Sequence, residues 1–71
     1  MSSKRILLYF LEVQNEDSSI VKYKIEKNGK TIFITNEHGY EHIKHPGFSL
    51  EDEIRIVFKA KILRTIISGI D

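Results

Sequence analysis

Apolar positions along the chain come in short runs separated by polar turns, the rhythm of an antiparallel β domain. Within Lys4–Gln14, residues Ile6–Leu11 are apolar at both parities. That suits a strand covered on both sides or a short buried helix, and the turn cluster Asn15–Ser19 that follows favours the strand. Over Ile20–Lys27, Val21, Tyr23 and Ile25 alternate with Lys22, Lys24 and Glu26, as in a half-buried strand. Asn28-Gly29 is then the dipeptide of a type I′ hairpin, whose two central residues both need positive φ. Lys30–Thr35 is the returning strand.

Asn36–His45 is polar and poorly periodic, and fits either a second tight hairpin through Gly39 or a helical turn capped by Asn36. Pro46-Gly47 breaks the chain. Beyond it two signals compete. Ser49-Leu50-Glu51-Asp52 resembles an N-cap with an acidic first turn. Yet Ile54, Ile56, Phe58, Ala60 and Ile62 alternate with Arg55, Lys59 and Lys61. On one helix over 49–68, Leu50, Ile54, Val57 and Phe58 would lie nearly opposite Leu63, Ile66, Ile67 and Ile70, leaving no single apolar stripe. The many β-branched residues also lose side-chain freedom in a helix. A strand is therefore predicted over Ile54–Ile62, with a turn near Lys59–Lys61 and Thr65–Ile70 pairing back. The expected fold is all-β, or mainly β with one short helix: a small barrel of short antiparallel strands in a single domain over 1–71. The alternative is an α+β arrangement ending in a helix over 49–68.

The chain has 71 residues and no cysteine, so neither a disulfide nor thiolate-bound zinc can support so small a core. A homodimer is the expected remedy. No run approaches the roughly 18 apolar residues of a membrane span, no signal peptide is legible, and a cytoplasmic location is expected. Charged residues make up 30% with a net charge of +1, so electrostatic function depends on where the charges lie.

For catalysis the residues offer little. Ser2, Ser3, Ser18, Ser19, Ser49 and Ser68 fall at termini or turns, none in a nucleophile elbow. The glycines are isolated, with no phosphate-cradling loop. Glu51, Asp52 and Glu53 read as a solvated turn. No enzyme and no cofactor are expected. His38, His42 and His45 cluster in sequence with Glu37 and Glu41. A helix would set His38 and His42 on one face as metal ligands, whereas a hairpin would send His42 and His45 to opposite faces. They are read as a solvated loop without a metal.

Two basic rows carry more. Lys22, Lys24, Lys27 and Lys30 follow the first hairpin on the side away from Val21, Tyr23 and Ile25, and Arg55, Lys59 and Lys61 line the polar side of the last alternating segment. Such rows can track phosphates, with Tyr9, Tyr23, Tyr40, Phe33 and Phe48 available to stack on bases or fill the core.

Taken in order, IEKNGKTIFIT, a short polar segment, GFSLEDEIRIVF and KILRTII resemble the AbrB/SpoVT-type swapped-hairpin domain of transition-state regulators and antitoxins. Gly29-Lys30 stands where that family has glycine followed by a basic residue, and Glu51-Asp52-Glu53-Ile54 where it has its turn aspartate and next strand. Thr35 replaces its usual proline, and the basic residues of its short helix are missing from Asn36–Lys44 apart from Lys44 and the histidines. The resemblance implies a hairpin-interleaved homodimer with DNA against Lys22, Lys24, Lys27 and Lys30. The leading expectation is thus a DNA-binding β domain, a transcriptional regulator. The alternative is a protein-binding module or inhibitor, such as a phage or viral factor, that offers the edge of Lys4–Gln14 to a host protein's sheet.

Overall fold

A computed structural model describes residues 4–67. Ser2, Ser3, Ser68 and Ile70 lie outside them. Five strands, β1 (Ile6–Gln14), β2 (Ile20–Asn28), β3 (Thr31–Thr35), β4 (Glu41–Ile43) and β5 (Lys61–Ile66), form one antiparallel sheet in the order β4-β3-β2-β1-β5. Between β4 and β5 an α-turn, Leu50–Asp52 (α1), runs on into a π-wound turn, Glu53–Val57. The chain is therefore mainly β with one short helix. No ladder joins β4 to β5 among the described residues, so the sheet stays open.

β1 is an inner strand, flanked by β2 and β5. This covers the edge predicted at Lys4–Gln14 over Phe10–Gln14, while Ile6 and Leu7, at the start of the apolar run, remain 60% and 42% exposed. Leu11 and Val13 point to the core face, while Phe10 points to the other. A bulge between Leu7 and Tyr9 turns both Leu8 and Tyr9 towards the core. The free edges belong to β4, which is only 3 residues long, and to β5, which is broken by a bulge at Leu63 and carries Lys61 and Arg64. Short, bulged and charged edges resist further pairing.

The first hairpin forms, with Asn28 paired to Thr31. Its central residues are Gly29 and Lys30, and only Gly29 has positive φ (64°), the pattern of a type II′ turn. The predicted I′ geometry shifts by one residue because Asn28 stays in the ladder. The second polar segment closes as the hairpin through Gly39 (φ 91°). Asn36 Oδ1 accepts the amides of His38 and Tyr40 at 2.9 and 3.0 Å, so the asparagine caps a β-turn instead of a helix.

The principal correction falls on Ile54–Ile62. Residues 54–57 are helical, and only Lys61 and Ile62 are extended. Ser49 caps the helix, its Oγ accepting the Asp52 amide at 3.1 Å. The two opposed apolar sets need not share a stripe, because Leu50, Ile54 and Val57 lie in the helical segment and Leu63 and Ile66 in β5. Lys59, in a left-handed conformation (φ 55°), ends the helix and turns the chain into β5. Leu50, Ile54 and Phe58, spaced by four, face the core, whereas Ile56 and Val57 remain 46% and 39% exposed. The resemblance implies a short helix over 36–44 and a strand from Ile54; the chain has a hairpin and a helix there.

One face of the sheet carries the core. Leu11, Val13, Ile25 and Ile34 are at most 1% exposed and pack under Ile54, with Ala60 at the rim. Tyr23 meets Phe58 edge to face at 5.2 Å. Ile54→Ala should lower stability by about 2–5 kcal/mol, most of what so small a domain has, while Ile56→Ala should stay within about 0.5 kcal/mol. Urea unfolding separates the two, since equal losses would signify the alternating strand instead of the helix.

Candidate functional site

His42 pairs with Ile34 across β3 and β4, which turns its ring to the core face of the sheet. The Phe58 ring meets it edge-on at 4.8 Å. Two residues later β4 has ended. Released from strand alternation, His45 swings back to the same side, in a turn closed by the Phe48 amide on the His45 carbonyl at 3.1 Å. Lys44 Nζ also bonds this turn, at the carbonyls of His45 and Phe48.

Glu53, at the start of the π-wound turn, comes up beneath both rings and is 0% exposed. Its Oε2 lies 2.5 Å from His42 Nε2 and 2.8 Å from His45 Nδ1, and its Oε1 accepts the His45 amide at 3.1 Å. A buried carboxylate is tolerable only with such partners. Burial pushes the Glu53 carboxyl up and is the largest single influence. The bonds from the His42 ring, the His45 ring and the His45 amide together outweigh it and hold the group below its ordinary value. A shallow pocket of about 280 Å³ opens beside His42, between Tyr23, Ile34, Tyr40 and Phe58.

This constellation departs from the sequence reading in two ways. Glu53 is buried, not part of a solvated turn, and a hairpin does not separate His42 from His45. Alternation holds only within a strand, and His45 lies beyond its end. His38 stays in the exposed tip of the second hairpin. One signal was present in the sequence: with a hairpin centred on Gly39, pairing places His42 opposite inward-facing Ile34. Nothing local marked Glu53.

The first basic row does not assemble. Lys22 and Lys24 share the outer face of the sheet with carboxylates: Lys22 is paired opposite Glu12, and Lys24 lies 3.9 Å from Glu26. Glu12 also receives Arg64 at 2.9 Å. Lys27, opposite Ile6 and Ile32, has the parity of Val21, Tyr23 and Ile25, so it lies on the other face, and Lys30 is at the turn tip. The second row does come together. Arg55 from the helix, Lys59 from the left-handed turn and Lys61 from the start of β5 surround a hollow of about 530 Å³, with Asn15, Glu16 and Ser18 opposite. Arg55 also bonds Asp52 at 2.9 Å. The aromatics are dispersed: Tyr9 and Tyr23 pack on the core, Phe33 lies under the Arg5 guanidinium at 3.8 Å, Phe48 leans on His45, and Tyr40 is exposed.

No family model, curated protein or solved structure matches the chain. Among the described residues no helix is long and apolar enough to cross a membrane.

Glu53→Gln places an amide NH₂ or a weaker acceptor before two ring N–H groups. Stability should fall by about 1–3 kcal/mol in urea unfolding, and a change within the range of surface substitutions would show that the carboxylate is not needed there. On the outer face, Arg5 bonds Glu41 at 2.7 and 3.2 Å and holds its carboxyl below the ordinary value of 4.5. A lowered folded value means that the stabilisation is complete above 4.5 and fades as pH falls through the folded midpoint. In Arg5→Ala the Glu41 carboxyl should titrate at higher pH by NMR; an unmoved midpoint would show that the pair does not persist in solution.

Proposed function

We propose that the chain is a small nucleic-acid-binding domain that takes the phosphate backbone of a single strand at the hollow framed by Arg55, Lys59 and Lys61. The observation that carries this reading is the convergence of these cations from three different local structures. Carboxylates stand beside them too: Asp52 bonds Arg55, Glu16 lines the same hollow, and Glu51 lines a neighbouring one with Arg55 and Lys61. With a net charge of only +1 the attraction has to be local. Asn15 and Ser18 add neutral polar groups for phosphate and sugar oxygens. Lys22 and Lys24, on the outer face beside Glu12 and Glu26, and Lys27 and Lys30 lie outside this hollow. The dispersed aromatics favour contact with the backbone over stacking on bases. Such a ligand fits a cytoplasmic protein. The reading does not require an interleaved dimer.

Fluorescence anisotropy on labelled single-stranded DNA and RNA should show binding at low salt, with log K falling against log[salt] at a slope of about −2 for three phosphates. Arg55→Glu combined with Lys59→Glu should weaken binding at least about tenfold, and Lys27→Glu should leave it almost unchanged. Absence of binding at low salt, or equal losses in both variants, would end this reading.

A further inference from the structure

We propose that His42, His45 and Glu53 form a binding site for one divalent transition-metal ion of the zinc type. Three donor atoms, His42 Nε2, His45 Nδ1 and Glu53 Oε2, all lie within 4.8 Å of one another. Both rings address the same carboxylate oxygen. A carboxylate that merely needed hydrogen bonds would be served as well by one ring on each oxygen. Here Oε1 is occupied by the His45 amide, which fixes the carboxylate plane and leaves Oε2 facing the two nitrogens. A backbone or side-chain bond to the second oxygen is the usual support of a ligating carboxylate.

The dimensions suit the ion. Ligands at 2.0–2.2 Å around a tetrahedral centre are about 3.3 Å apart. The nitrogens lie 2.5 and 2.8 Å from Oε2, so these two sides have to open by less than about 1 Å, which ring rotation supplies. In the present arrangement each ring points an N–H at Oε2. On metal binding the ion takes that place, and a neutral ring carries its one N–H on the other nitrogen. Two imidazoles and a carboxylate suit zinc and its neighbours better than calcium or magnesium, which prefer oxygen. The donors come from strand β4, from the turn after it and from the helix, and the shared ion would tie the three together. Access is open: the His45 side chain is 57% exposed and that of His42 32%, which leaves a fourth position to water or an incoming donor.

The test uses the full chain, stripped with chelator and titrated with Zn²⁺ and separately with Co²⁺. One equivalent of Zn²⁺ should bind, Co²⁺ should give the intense visible spectrum of a four-coordinate ion, and saturating Zn²⁺ should raise the melting temperature by about 10 °C or more at a hundredfold excess over Kd. His45→Ala should lose at least about 100-fold in affinity and melt below the parent in chelator, because Glu53 loses one donor; His45→Gln, which retains a donor for Glu53, should lose a comparable affinity while melting in chelator closer to the parent. His38→Ala should bind normally. Failure of the parent to bind one equivalent would overturn the proposal. So would binding that survives in the His42→Ala, His45→Ala double variant, or a loss in His38→Ala as large as that in His45→Ala.

Discussion

The burial of Glu53 is the constraint on which the second half of the molecule depends. A carboxylate with no solvent exposure, among Ile54, Phe58 and the sheet, is costly unless hydrogen-bond donors meet it. Those donors come from one stretch of chain, His42 to His45, and from both backbone and side chain. Satisfying Glu53 therefore ties the end of β4 and the turn after it to the start of the π-wound turn. The first three strands need no such device. Their ladder and the inward row of Leu11, Val13, Ile25 and Ile34 hold them directly.

Charge placement follows the same division. On the outer face of the sheet, cations and anions interleave across strands, as Arg64, Glu12 and Lys22 do, and as Arg5 does between Glu26 and Glu41. Such exposed pairs add little stability each, but they cancel one another's long-range field. The hollow beside β5 is different, because a helix, a left-handed turn and a strand start bring Arg55, Lys59 and Lys61 to one place. In this chain the closest grouping of these cations comes at a junction of elements instead of along a strand.

Much of the fold was legible residue by residue. The alternation in Ile20–Lys27, the glycine turn and Thr31–Thr35 define a hairpin whose period is independent of the rest of the chain. The Ser49 cap was equally visible, because its signal is local. The segment over Ile54–Ile62 was misleading for a definite reason. Positions 54, 56 and 58 satisfy a period of two, while 50, 54 and 58 satisfy a period of four, and so short a window cannot separate them. The deciding residue was Lys59, whose left-handed backbone lets the helix stop before its apolar stripe runs out. A lysine gives no sequence warning of that.

By itself the sequence determined the β2–β3 hairpin, the mainly β character and the lack of any thiol chemistry, since these follow from nearest neighbours and composition. Only the tertiary structure decided that β1 is an inner strand, that Lys22 and Lys27 face opposite ways relative to the core, and that His42, His45 and Glu53 meet. Those outcomes depend on strand order, register and the point at which each element stops. They arise from contacts between segments far apart in the chain, which periodicity within a segment does not encode.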